Sequence, residues 1–211
     1  TLPSVMHVEV EEAEAAAAEG SNQSDASVHH LAAIIRQSNR ARELLQRLPK
    51  TASRVFTVGG DCGVEVQPVF HAGACSPGLA VVWFDAHADL NSPSTSPSGH
   101  FHGMPVRTLL GEGPAGLQLS SQAALTPSQI IYVGTRDLDP PEQAFIEAHG
   151  MCLLPPRPSS TLASRLAAAL RGFSAAYIHV DLDVLDPSEF PCTCCPTADG
   201  LALQTLLECL G

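Results

Sequence analysis

Four short apolar runs, each ending in a segment that carries acidic side chains, constrain this chain more than any other feature. Residues 55–58, 79–84, 130–133 and 175–180 are each long enough for a strand and too short for a typical helix. Helix-like stretches accompany them at 104–110, 140–149 and 162–170. Val28, Leu31, Ile34, Ile35, Leu44, Leu45 and Leu48 predict a further helix over 28–48, with Arg36, Arg40, Arg42 and Arg47 for its wet side and Pro49 as its stop. Near-continuous apolar strands alternating with helices predict an α/β fold: a parallel sheet covered on both faces. Residues 1–27, with five glutamates around an alanine run, read as a poorly determined lead-in to a single domain over 28–211.

The residues after each run carry the chemistry. The first run leads into Asp61, the second into Asp85, His87 and Asp89, the third into Arg136 and Asp137, and the fourth into Asp181 and Asp183. In a parallel sheet these ends share one edge, where open α/β folds bind ligands. Carboxylates gathered in a partly dry crevice repel one another unless a cation offsets them. On an extended strand end alternate residues face the same way, so Asp85, His87 and Asp89 point together, as do Asp181 and Asp183. Four carboxylates and one imidazole suit manganese better than iron, nickel or zinc. Five ligands are more than one ion usually takes from protein, which predicts a pair of divalent ions. A hydroxide bridging such a pair is a nucleophile at neutral pH, so the chemistry expected is metal-assisted hydrolysis.

Other classes fit less well. Twenty-two acidic against eleven basic side chains, a net charge of -11, argue against a nucleic-acid or anionic-lipid partner. No apolar run is long enough to span a membrane, and the first twenty residues lack a signal-peptide order, so a cytoplasmic protein is expected. The seven cysteines lack paired CxxC spacing and read as free thiols in a reducing compartment, Cys192, Cys194 and Cys195 included. Residues 181–186 mimic the start of an EF-hand, but Pro187 and Cys192 stand at positions that calcium loops do not allow them.

The segments GGDCGVE at 59–65, WFDAHADLNSPSTSPSGHFHGMP at 83–105, YVGTRDLDPPE at 132–142 and HVDLDVLDP at 179–187 together resemble the ureohydrolase family of arginases, agmatinases and formimidoylglutamases. The resemblance, closest to arginases, implies a three-layer α/β/α fold with a central, mostly parallel sheet and two Mn2+ ions at its carboxyl edge. Carried over by motif, Asp85, Asp89 and Asp181 would serve one ion, and Asp85, His87, Asp181 and Asp183 the other. The bridging hydroxide would attack a guanidinium carbon, most simply that of L-arginine, giving urea and ornithine. Asp183 would orient it and accept its proton, and His102 would shuttle protons.

Asn91 and Ser98 match positions that hold the substrate carboxylate in arginases, and His100 stands where arginases carry asparagine. Asp139 and Glu142 match acidic positions near the substrate α-amino group, yet Asp139, Pro140 and Glu142 also spell an ordinary helix start. Cys62 replaces the histidine of the usual GGDH motif, a ligand of the first ion. Because a thiolate is softer, that site is expected to be weaker, to hold another metal or to be empty. Asp61 beside it reads as a structural acid.

The family's usual first strand is not evident before Val28, and its pattern continues past Gly211, so the sheet is expected to be incomplete at its ends. Agmatinase, another guanidino-acid hydrolase, formimidoylglutamase, a non-catalytic assembly subunit and a thiol-dependent binding protein remain alternatives at this stage. A small guanidino substrate is the expected partner, and a homo-oligomer stays open.

Overall fold

The computed structural model describes residues 28–48, 55–117 and 124–211, so the lead-in expected at 1–27 and the stop at Pro49 lie outside the described residues. Leu79–Phe84 (β1), Ile130–Val133 (β2), Cys152–Leu154 (β3) and Ala175–Val180 (β4) form one parallel sheet in the order β3-β2-β1-β4. β1 sits inside the sheet because every side chain of LAVVWF is buried, as a strand covered on both faces requires.

Period-two alternation sorts the strand residues into two cores. Leu79, Val81 and Trp83 of β1 join Ile130 and Tyr132 of β2 on one face, whereas Ala80, Val82 and Phe84 join Ile131 and Val133 on the other. The first face is covered by Leu31–Gln46 (α1), Val66–Cys75 (α2), Pro105–Leu109 (α3) and Pro140–His149 (α4), which contribute Ile34, Val69, Val106 and Ile146. The second is covered by Leu162–Ala169 (α5) and Leu203–Leu210 (α6) through Leu162, Leu166 and Leu206. The result is the expected three-layer α/β/α arrangement. Each of the buried aliphatic side chains among these, the half-buried Ile34 apart, stabilises the fold by about 1.5–3 kcal/mol relative to exposure.

The helices expected at 28–48, 104–110, 140–149 and 162–170 are all present, trimmed by up to three residues at their ends. The first apolar run is a correction: residues 55–58 form no strand, and Val55, Phe56 and Val58 are 45%, 83% and 96% exposed. Apolar composition becomes a strand only where a neighbouring edge accepts its backbone, and this run pairs with none among the described residues. Three strand ends therefore converge where four were expected. β4 also differs from a strand buried on both faces: as an edge it leaves Ala176 and Ile178 exposed. The helix α2 was not anticipated, because Pro68 and Gly73 depress its propensity; Pro68 is tolerated because it lies in the first turn.

One glycine holds the site loops together. Gly134, just after β2, has φ 86, and a Cβ there would stand 2.5 Å from the Val184 side chain. Only glycine combines that left-handed backbone with so close an approach.

Candidate metal centre

The parallel register sets the two main acidic segments side by side. Trp83 pairs with His179 and Phe84 with Val180, so the next positions, Asp85 and Asp181, leave the sheet together. Asp181 keeps its N–H on Phe84 O at 2.8 Å, and Asp85 keeps its own on Val133 O at 3.3 Å. Each carboxylate then folds back on its own chain: Asp85 Oδ1 accepts from His87 N at 2.7 Å, and Asp181 Oδ1 from Asp183 N at 2.9 Å. These short local bonds replace the ladder where the strands end and fix the remaining carboxylate oxygens toward the crevice.

Asp183 bridges the two segments. Its Oδ1 accepts from Ala86 N at 3.1 Å, and its Oδ2 lies 3.0 Å from His87 Nδ1, which is itself 3.4 Å from Asp85 Oδ1. Arg136 holds the Asp183 segment in place by donating to Asp183 O at 2.9 Å, Val184 O at 3.3 Å, Thr197 O at 2.6 Å and Ala198 O at 2.8 Å. Sequence reading placed Arg136 near the site without giving it this positioning role.

Cys62 enters from the loop before α2. Its thiol donates to Asp181 Oδ2 at 3.2 Å and lies 3.7 Å from Asp85 Oδ2. Its neighbour Asp61 turns away and caps Gly63 N at 2.9 Å, in keeping with a structural acid. His179 was missed at the sequence level, although it precedes Asp181 by two and so faces the same way. Its ring stacks on Trp83, with centroids 3.7 Å apart and planes 23° apart, and only 5% of the residue is exposed. Nε2 stands 3.6 Å from Asp85 Oδ2 and Nδ1 3.9 Å from Glu65 Oε1; neither ring nitrogen makes a hydrogen bond. Glu65 also accepts from the Tyr177 hydroxyl.

Electrostatics record how crowded the crevice is. Burial, reinforced by Asp89, Asp85 and Asp181, pushes the Cys62 thiol far up, so without a cation it stays protonated. Burial also raises Asp89, with Asp85 adding to the effect, and raises Asp183. Burial acts on Asp85 in the same direction, but the His179 and His87 imidazoles overcome it and hold that carboxyl below its usual range. His87, between Asp183 and Asp85, is pushed up to about 11. Asp89 is buried in a left-handed conformation, φ 51, with Oδ2 lacking any partner. A non-glycine residue in that region marks stored backbone strain, of the kind that gathers at functional sites.

These residues fit divalent cations. Cys62, Asp85 and His179 form one group, and Asp85, His87 and Asp183 another; within each, the ligand atoms lie within 4.8 Å of one another. Asp85 belongs to both. Asp181 and Asp89 border the groups without joining either, and the unpartnered nitrogens of His179 and Oδ2 of Asp89 are the orphaned polar atoms a cation would satisfy.

The residues expected to meet substrate divide in two. Asn91 and Asp139 come together, Asn91 Nδ2 donating to Asp139 Oδ2 at 2.8 Å while Thr95 Oγ1 donates to Asn91 Oδ1 at 2.9 Å. Glu142 is buried with both oxygens committed, Oε1 to Leu90 N and Oε2 to Asp139 N, each at 2.9 Å, so it locks the start of α4 to the DAHAD segment. Burial raises its carboxyl. Ser98 and His100, and His102 in the short turn Phe101–Gly103, lie exposed; Ser98 Oγ accepts from His100 N at 3.2 Å, and the His100 and His102 rings are 5.6 Å apart. All seven cysteines are free, and among the described residues no helix is long and apolar enough to cross a membrane.

Comparison with known proteins points the same way. The family model described as "Arginase family" matches residues 5–211. An arginase of Staphylococcus aureus (strain COL) is 35% identical over 156 residues, covering 71% of this chain and 52% of its own. The native structure of the Bacillus caldovelox arginase superposes with a TM-score of 0.81 at 25% identity, covering 94% of this chain and 68% of its own. The structure of the Entamoeba histolytica arginase in complex with L-ornithine gives a TM-score of 0.78 at 25% identity, covering 87% of this chain and 66% of its own. The chain thus spans about half the length of the curated relatives it matches.

Proposed function

The chain belongs to the arginase family, and from that premise we propose that it hydrolyses a guanidinium carbon–nitrogen bond, with L-arginine the substrate and urea and ornithine the products. The observation that carries this reading is Asp85, one carboxylate shared by two ligand groups at the carboxyl edge of a parallel sheet. Divalent ions held by Asp85, His87 and Asp183 and by the group around Cys62 would supply a water acidic enough to act as a nucleophile at neutral pH. The oxygen-rich group containing Asp183 suits manganese.

The chain's own residues do the rest. Asp183 is anchored through Oδ1 on Ala86 N; its Oδ2, paired with His87 Nδ1 at 3.0 Å in the metal-free fold, would orient the attacking water and take its proton once an ion engages that imidazole. Burial raises this carboxyl, which makes it a better acceptor than an exposed aspartate. His102, exposed in the turn Phe101–Gly103, would exchange protons between the crevice and solvent. Asn91 and Asp139 set an amide beside a carboxylate, a pairing that suits the α-carboxylate and α-amino ends of an amino acid; Ser98 and His100 extend that surface. Asp89 and Asp181 keep the crevice negative enough to draw cations and the guanidinium. The free thiols accord with a reducing, cytoplasmic setting.

The test is urea release by manganese-loaded protein from arginine, agmatine and guanidinobutyrate. Release from arginine alone or foremost is expected. Asp139→Ala should raise KM for arginine by about tenfold, a single lost polar contact, while leaving agmatine nearly unchanged. An equal effect on both would remove the amino-acid reading, and silence across the panel would remove the catalytic one.

A further inference from the structure

The two ligand groups differ in chemistry, and His179 explains the difference. The GGDC segment carries sulfur where the family motif has an imidazole, which on its own would weaken the site. A second imidazole nevertheless reaches the same place from β4. His179 is nine-tenths buried, its ring is clamped on Trp83, and its Nε2 is aimed at Asp85 Oδ2 with no hydrogen bond made. A buried nitrogen left in that state costs free energy that a cation on it would recover.

We infer that Cys62, Asp85 and His179 form a thiolate–carboxylate–imidazole site for a zinc-class ion, chemically distinct from the oxygen-rich group Asp85, His87 and Asp183. The separations agree: with metal bonds of about 2.0–2.3 Å, tetrahedral neighbours stand roughly 3.3–3.8 Å apart. Here Cys62 Sγ and His179 Nε2 lie 3.7 and 3.6 Å from Asp85 Oδ2. Glu65 Oε1, 3.9 Å from Nδ1 on the far side of the ring, is placed to orient the imidazole, as carboxylates behind metal-bound histidines do. Sulfur and nitrogen donors favour zinc or cobalt over manganese. Binding breaks the Cys62 S–H bond and the Nε2–H bond of the His179 imidazolium as the sulfur–metal and nitrogen–metal bonds form, and both protons leave to solvent; no oxidant or reductant is involved.

The inference rests on the reading that the sheet edge holds divalent cations, and its test separates the two. Chelator-stripped full chain is titrated with cobalt(II), and bound ions are counted by mass spectrometry. A sulfur-to-cobalt charge-transfer band in the near ultraviolet should saturate at one equivalent, then vanish when zinc is added. Cys62→Ser should lose the band with an unchanged far-ultraviolet dichroism spectrum. Cys62→His should lose it while still binding two ions and should lower the zinc-to-manganese preference by at least about tenfold. His179→Ala should keep the band but weaken cobalt by a similar factor. Two ions bound without a band, or a band that survives in Cys62→Ser because the exposed Cys192, Cys194 and Cys195 carry it, would overturn the inference and leave the hydrolase reading standing. The expected spectra with no urea from any guanidino compound would do the reverse. No ion bound at all would overturn both.

Discussion

The two halves of the metal centre share Asp85 but are finished in opposite ways. The half built from His87 and Asp183 is satisfied from within, since His87 Nδ1 lies 3.0 Å from Asp183 Oδ2 and Asp183 Oδ1 takes a backbone N–H. The half built from Cys62 and His179 is almost wholly buried and leaves both imidazole nitrogens without a hydrogen bond. In the metal-free fold a protonated histidine stands in for a cation in each half, but His179, which despite its burial is pushed up to about 9 by Asp85 and Glu65, makes no hydrogen bond, so its half keeps a standing hydrogen-bond deficit. The lesson is that one strand end can serve two sites of different character when its neighbours come from loops of different chemistry. Local backbone bonds fix the shared carboxylate, and the arriving side chains decide what it holds.

The largest effect should come from striking the shared residue. Asp85→Asn removes a charged ligand from both groups at once, so the bound-ion count should fall from two toward zero. Metal affinity should drop by more than about 100-fold, beyond what loss of an outer partner costs, and urea release should be lost with it. One ion retained at near-native affinity would break the comparison, because the halves would then be independent.

Much of this arrangement was legible in the amino-acid order. DAHAD and DLD each close an apolar run, and strand periodicity alone places Asp85, His87, Asp181 and Asp183 together; the parallel register of β1 and β4 does so. Cys62 stood out as sulfur in a position otherwise reserved for imidazole. What remained hidden depends on tertiary context. Residues 55–58 are as apolar as β2, yet only β2 found an edge to pair with. His179 lies inside an apolar run, where one histidine reads as a core residue until the stacked Trp83 and the facing carboxylates give it a direction. Glu142 followed a helix-start pattern and does bond Asp139 N; its second bond, to Leu90 N, joins segments 52 residues apart, and no local pattern announces it.

The satisfied half can be probed through its proton. In the metal-free fold His87 is held up to about 11 by Asp183 first and Asp85 second, above its ordinary 6.5. A base whose folded pKa is raised adds stability that is complete below the unfolded value and is lost as pH rises through the folded one. His87→Ala should therefore destabilise metal-free protein by about 1–2 kcal/mol near pH 6, a figure reduced from the buried-pair range because the ring is partly open to water. The cost should shrink steadily toward pH 11. Denaturant melts of wild type and variant across that window provide the check, and a pH-independent difference would mean that His87 acts by packing alone.

The smallest effect has the opposite sign. Asp89 is buried, lacks a partner at Oδ2, and has its carboxyl raised by burial and by Asp85, so at neutral pH either holding the charge or taking up a proton in its place works against the fold until a cation arrives. Asp89→Asn keeps the shape and removes that charge, and should stabilise metal-free protein by on the order of 1 kcal/mol at pH 7. The gain should close as pH falls toward the ordinary carboxylate value, because the wild-type group then takes up its proton and sheds the penalty. The same variant should bind the ion at Cys62 and His179 less tightly, since the lost negative charge is one that draws the cation in. Chelator-stripped and metal-loaded melts of the one variant would then move in opposite directions. A substitution that stabilised both forms would assign Asp89 to the strained loop alone and detach it from the deficit that separates the two halves.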